Sequence, residues 1–193
     1  MKIRHLFVLL FAGLIIALSS CSKSDDGAAT SLEGTPEEIL NQVLEAVELP
    51  MPMSFVNTDV NPEMSQNALG LSPGDFERLV EDVAISTAAI MTHAHEVAII
   101  KAKDAAAAKE AKDIIAGDGG YDAGKWICVF PGEAGVVESG PYVLLVASEA
   151  EVADAIIDAF KEAAVTTGEV NIFFTGGFEG DMNLGGMGIT IGD

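Results

Sequence analysis

The chain has 193 residues, 49% of them hydrophobic, with 10 Lys and Arg against 30 Asp and Glu for a formal charge of −20. That length is enough for one domain with a sizeable core. The charge argues against nucleic acid as a partner, because affinity for a phosphate backbone depends on Lys and Arg displacing counterions.

The longest uninterrupted apolar run, Leu6 to Leu18, is 13 residues. A membrane-spanning helix needs roughly 20, so no transmembrane helix is expected in the mature protein. Lys2 and Arg4 precede the run as a positive region, and Leu18-Ser19-Ser20-Cys21 follows it. This is the layout of an export signal. Its last four residues resemble the lipobox of bacterial lipoproteins, in which small residues fit a peptidase pocket and the Cys thiol accepts a diacylglyceryl group. Residues 1–20 are therefore expected to be a lipoprotein signal peptide, and Cys21 the lipidated first residue of the mature chain. Two or more acyl chains anchor firmly at ~0.8 kcal/mol per buried methylene. The expected location is the extracytoplasmic face of a cell membrane. Removal of Lys2 and Arg4 leaves 8 basic against 30 acidic residues, a formal charge of −22. A lipidated Cys21 also leaves Cys128 without a disulfide partner. Cys128 lies in the apolar Trp126-Ile127-Cys128-Val129-Phe130 run and reads as a small buried hydrophobe.

Residues 21–34 are polar and aperiodic and read as a flexible tether. A domain over 35–168 begins at Thr35-Pro36-Glu37-Glu38, a capping box with proline at the first helical position. The stripe Ile39, Leu40, Val43, Leu44 and Val47 predicts a helix over 36–48. A short helix is predicted from Ser72-Pro73, carrying Phe76, Leu79 and Val80. Two strands fall between Val83 and Lys103, the second over 97–103. Asp104 caps a third helix running to Ile114 and Ile115 and stopped by Gly117. Strands are expected at 126–130, 136–138 and 142–147, the last two joined by a Ser139-Gly140-Pro141 turn. Ser148 with Glu151 forms a second capping box, predicting a helix over 149–164 with the stripe Val152, Ala155, Ile156, Ala159, Phe160 and Ala163. Strands joined by short turns, outside simple βαβ alternation, predict an α+β fold: a single domain with a mainly antiparallel sheet and about four helices. Residues 169–193 are glycine-rich and read as a mobile tail, with Ile172-Phe173-Phe174 as the part able to dock on the domain.

Three features carry a family resemblance: the Pro36-Glu37-Glu38-Ile39-Leu40 helix start, Glu96-Val97-Ala98-Ile99-Ile100-Lys101-Ala102-Lys103-Asp104, and Gly140-Pro141-Tyr142-Val143-Leu144-Leu145-Val146. With the upstream lipobox, the chain over about residues 36 to 165 resembles a family of Gram-positive bacterial lipoproteins known only as domain of unknown function 4358. The resemblance implies an envelope location and a small α+β domain, and it supplies no activity, ligand or catalytic residue. The chain departs from that pattern where the Gly117 to Gly124 loop cuts short the helix after Asp104, and in its glycine-rich tail.

Few residues suggest chemistry. In a strand, His93 and His95 would share a face, a geometry found in metal sites, yet no third ligand stands at a usable spacing. The expected reading is a polar turn between strands, with no metal and no cofactor. Asp118-Gly119-Gly120-Tyr121-Asp122 has the oxygens of a loose calcium loop but lacks an EF-hand's third early ligand and terminal Glu. It reads as a solvated turn. Glu81-Asp82 is unremarkable in so acidic a chain. No nucleophile elbow, zinc cysteine pair or phosphate-binding glycine loop occurs in the mature segment. The reading is a non-catalytic binding or interaction module for a protein or small-molecule partner. The alternatives are a hydrolase-type envelope enzyme with a dispersed active site and a structural envelope-assembly protein.

Overall fold

Strands β1 (Val80–Thr87), β2 (Glu96–Ala102), β3 (Glu133–Ser139), β4 (Tyr142–Ser148) and β5 (Asn171–Thr175) form one sheet in the order β1-β2-β4-β3-β5. Every neighbouring pair is antiparallel. The computed structural model describes residues 32–50, 56–90, 92–126 and 129–176. The fold is the α+β single-domain arrangement that the pattern of strands and short turns implies. Among the described residues there are five helices: α1 (Pro36–Glu45), α2 (Pro62–Leu69), α3 (Pro73–Leu79), α4 (Ala105–Ile115) and α5 (Ala150–Ala164).

Helices cover both faces of the sheet. On one face α1 and α5 pack through Ile39, Leu40, Val43, Ile156 and Phe160 onto Ala84, Val97, Ile99, Val137, Leu144 and Val146. On the other, Leu69, Leu79, Ala111 and Ile115 from α2, α3 and α4 meet Val83, Ile85, Ala98, Ile100, Val136 and Leu145. All seven residues of β4 are buried, as are six of seven in β2. An antiparallel sheet with one wet face alternates apolar and polar residues. These strands read as unbroken apolar runs because neither face is wet.

Local signals set most helix ends. At Thr35 the capping box forms: the Glu38 amide donates to Thr35 Oγ1 at 3.2 Å and the Thr35 amide to Glu38 Oε2 at 2.9 Å. Asp104 Oδ1 accepts the Ala107 amide at 2.7 Å and starts α4. Between β3 and β4 lie only Gly140 and Pro141, with Gly140 at φ 54°. Proline holds its own φ near −65°, so the loop fits a type II′ turn, with glycine at the first central position.

Several expectations are corrected. α1 ends at Glu45, short of residue 48. α2 has no counterpart in the sequence reading, although Asn61 caps it through the Met64 amide at 3.1 Å and Gly70 ends it at φ 74°. Its signal is weak because only Ser65 and Leu69 are buried. Ser148 does not cap α5. It is the last residue of β4, and Glu149 takes the N-cap place without a side-chain bond. No strand forms at Trp126, Val129 or Phe130, and 127–128 lie outside the described residues. At the two ends, packing extends further than the 35–168 boundaries. Leu32 is only 6% exposed, and Tyr142 Oη donates to the Gly34 carbonyl at 2.8 Å. Beyond residue 168, Phe173 and Phe174 dock on the domain as expected, and they do so within a strand, β5, that pairs with β3. Residues 177–193 and the signal segment lie outside the described residues.

The architecture repeats. β1-β2-α4 and β3-β4-α5 are two strand–strand–helix units, and the buried positions of the helices match at a constant offset of 45 residues. Ala108, Ala111, Lys112 and Ile115 in α4 correspond to Ala153, Ile156, Ile157 and Phe160 in α5. Ile99 and Leu144, the same offset apart, face each other across the β2–β4 seam. The two helices nonetheless pack on opposite faces of the sheet, α4 on the Ala98 side and α5 on the Ile99 side, so the units repeat in chain order and are not related by a twofold axis.

Candidate functional site

Charged and polar side chains gather inside the fold at the end of the sheet where β2 starts and β4 stops. Glu96, the first residue of β2, points into the α2–α4 side. Its Oε1 accepts Tyr121 Oη at 2.9 Å and Lys125 Nζ at 2.7 Å. Lys125 also donates to the Asn67 carbonyl in α2 at 3.0 Å. Its ammonium stands 4.5 Å from the centre of the Tyr121 ring and 5.2 Å from that of Trp126. Tyr121 in turn meets Phe173 of β5 edge-on at 6.1 Å. Burial pushes the Glu96 carboxyl up from its ordinary range, while the Lys125 charge and hydrogen bond pull the other way. Burial, and then the Glu96 charge, pushes the Tyr121 phenol well above its ordinary value. Glu96 Oε1 and the Tyr121 hydroxyl are both committed to internal partners, so the cluster clamps the 117–126 loop to β2 and α2.

That loop is the one with calcium-like spacing. Its backbone closes on α4, with the Tyr121 amide bonded to the Ile115 carbonyl at 2.9 Å and the Gly120 amide to the Gly117 carbonyl at 3.0 Å. Asp122 Oδ1 accepts the Gly124 amide at 2.8 Å. Asp118, Gly119 and Asp122 are exposed, as a solvated turn requires, whereas Tyr121 turns inward and is buried.

On the opposite face of the same sheet end lies His95. Only 1% exposed, it places Nδ1 2.7 Å from Ser148 Oγ, and its Nε2 has no hydrogen-bond partner among the described residues. Burial, and then the His93 charge, lowers its pKa to about 4, so the ring is neutral at pH 7. Ser148 is diverted from the helix cap by this contact. His93 is partly exposed, and its Nδ1 lies 3.8 Å from Glu149 Oε1. The two histidines thus occupy different environments, one in the core and one at the surface, and the expectation of a polar turn fails at His95. Among the described residues no group of three or more His, Cys, Asp or Glu side chains could hold a metal ion.

A second buried pair sits toward the other end. Lys112 Nζ lies 2.6 Å from Glu138 Oε2, off the line of a hydrogen bond, and donates to the Glu169 carbonyl at 3.1 Å. Gly168 packs directly on the Glu138 carboxylate, where a Cβ would collide with it. In the repeat, Lys112 stands where α5 has Ile157. The α5 pattern, laid over α4, would have marked it as a buried charge in need of a partner. Glu81 is exposed and paired with Lys101 at 2.8 Å. Cys21 and Cys128 lie outside the described residues. Among those residues no helix is long and apolar enough to cross a membrane.

No family model, no curated protein and no solved structure matches this chain.

Proposed function

We propose that the chain is a lipid-anchored lipoprotein of the cell envelope, held on the extracytoplasmic face of a membrane through Cys21, and that its domain is a non-catalytic binding or interaction module. Leu18-Ser19-Ser20-Cys21 behind a short apolar run supports the anchor, as does the resemblance to the lipoprotein family. The interaction role rests on one observation, the division of surface charge between the two sides of the sheet. The exterior of α1 and α5 exposes Glu37, Glu45, Glu151, Asp154, Asp158 and Glu162, and Lys161 is the one Lys or Arg in those two helices. Lys161 bridges Asp158 at 3.1 Å and leaves the other acids there without an ion pair among the described residues, whereas on the α3–α4 side more of the acid is offset. Arg78 bridges Asp75 at 2.7 Å and Glu110 at 2.8 Å, and Lys109 bridges Asp113 at 2.9 Å. A field of one sign on a single side attracts and orients a cationic partner.

Two measurements test the proposal. Cys21→Ser should abolish lipid labelling and move the protein from the membrane to the soluble fraction; unchanged detergent partitioning would refute the anchor. Binding of an oligolysine peptide should weaken with salt. It should also fall more on neutralising Asp154, Asp158 and Glu162 than on neutralising Glu77, Glu110 and Asp113. Equal losses from the two sets would mean that net charge, and not the α1–α5 side, governs the interaction.

A further inference from the structure

The two edges of the sheet are finished differently. On the β1 edge Asn57 pairs with Ile85, its amide donating to the Ile85 carbonyl at 2.8 Å and its carbonyl accepting the Ile85 amide at 3.0 Å. Glu81 and Asp82 add exposed charge along that strand. β5 pairs with β3 on one side and with no described strand on the other. The Gly176 amide donates to the Gly132 carbonyl at 2.9 Å and so points toward β3. Backbone groups alternate in direction along a strand, which turns the Thr175 amide outward. Charges and prolines ordinarily guard such an edge against added strands. Asn171-Ile172-Phe173-Phe174-Thr175 has neither.

Beside this edge α5 forms one wall of a groove. Ile172 lies over Gly135 on the α5 face: its Cδ1 is 2.5 Å from where a Gly135 Cβ would stand, and Ile157 Cδ1 of α5 is 3.6 Å from the same point. Glu133 shares that face with Gly135 and Val137, and the register sets it opposite Thr175. Its Oε1 is buried with no hydrogen-bond partner among the described residues. Burial, and then the charge of Asp154 on α5, raises the Glu133 carboxyl above its ordinary range. Asp158, further along α5, is engaged by Lys161 at 3.1 Å. Two carboxylates, one with an unsatisfied oxygen, thus stand within a side chain's reach of an open row of backbone groups, with only Thr175 between.

We propose that the open edge of β5 takes an extended segment of a cationic protein partner as a sixth strand. The partner's backbone bonds to Thr175, a Lys or Arg beside Thr175 reaches Glu133 and Asp154, and an aliphatic residue two positions away packs on Ile172. The two-residue spacing is that of Glu133 and Gly135 on β3, the strand that β5 already pairs with. The proposal rests on the reading above that the domain attracts a cationic partner, and it states how that partner is held: main-chain bonds give affinity and alternate side chains give selectivity. A second copy of this chain, with a formal charge of −20, is repelled and does not fit the role.

The test titrates the isotope-labelled full chain with the acetylated peptide Thr-Lys-Thr-Val-Thr-Lys and follows amide hydrogen exchange. Exchange at Thr175 should slow several-fold on binding, while Gly176, already bonded to β3, changes little. Thr175→Pro removes the outward donor at an edge position, where proline is tolerated, and should weaken binding several-fold. Asp154→Asn, an exposed change, should weaken it as well. Salt-sensitive binding that leaves Thr175 exchange unchanged, or binding of oligolysine alone, would overturn strand addition while the cationic-partner reading stands. A Thr175 amide protected before any peptide is added would also overturn it, because the edge is then covered from within the chain. Binding of neither this peptide nor oligolysine would overturn the underlying reading itself.

Discussion

His95 gives the clearest consequence at the scale of a residue. Its imidazole is buried neutral, with a folded pKa of about 4 against an ordinary value of 6.5. As pH falls below 6.5, the unfolded chain takes up the proton first. Stability is therefore complete above that value and declines until pH reaches about 4. The size is about 3 kcal/mol, from 1.36 kcal/mol for each pKa unit. Glu96 and Glu133 act in the opposite sense. Burial raises both, so each folded carboxyl binds its proton before the unfolded one and adds stability as pH falls toward the ordinary carboxylate range. Urea denaturation of the wild type and His95→Gln between pH 7 and pH 4 separates the effects. The wild type should lose more stability than the variant over that interval, and equal slopes would show that the His95 ring does not titrate from a buried state. The sequence showed a pair of histidines and implied a polar turn between strands. It could not show that one is drawn into the core by Ser148, 53 positions away.

At the scale of elements, the legible parts are those whose cause is local. Thr35 and Asp104 cap helices through amides three residues on. β2 and β4 declare themselves by their apolar runs. α5 was placed correctly within a residue, but through a capping box that does not form. Partners distant in sequence remained hidden: Lys125 with Glu96, Lys112 with Glu138, and Gly70 with the 117–126 loop. Gly70 joins two requirements, because its φ is 74° and a Cβ there would strike the backbone of Gly120 and Tyr121. Gly119 has a similar φ of 78° with open space around it. Gly119→Ala should thus cost only the conformational strain, about 1 kcal/mol. Gly70→Ala must also push the loop away from α2, and should cost at least twice as much by about the same reckoning. Denaturation midpoints of the two variants compare them directly. Similar losses would mean that the loop yields freely.

At the scale of the molecule, two observations stand together. The central strands β2 and β4 are buried on both faces, and basic residues are concentrated on one side of the sheet. The first explains how a chain with so few basic residues still builds a core, since the acids lie outside the helices while the strands need no polar face. The second divides the molecule into a strongly acidic flank able to attract cations and a flank where Arg78 and Lys109 offset part of the acid. The repeated strand–strand–helix order adds a statement about how such a chain assembles. Each unit begins with a hairpin, and closing the Gly140-Pro141 turn costs far less chain entropy than bringing β2 to β4 across α4 and the loop after it. The β3–β4 hairpin should therefore be formed early, with β5 added late at the sheet edge. Val137→Ala, inside that hairpin, should slow refolding, whereas Phe174→Ala in β5 should mainly hasten unfolding. Stopped-flow measurements in urea distinguish the two limbs. If both substitutions acted only on unfolding, the nucleus would lie elsewhere in the chain. With the expected result, the β2–β4 seam is closed only after the β3–β4 hairpin offers β2 a finished edge to pair with.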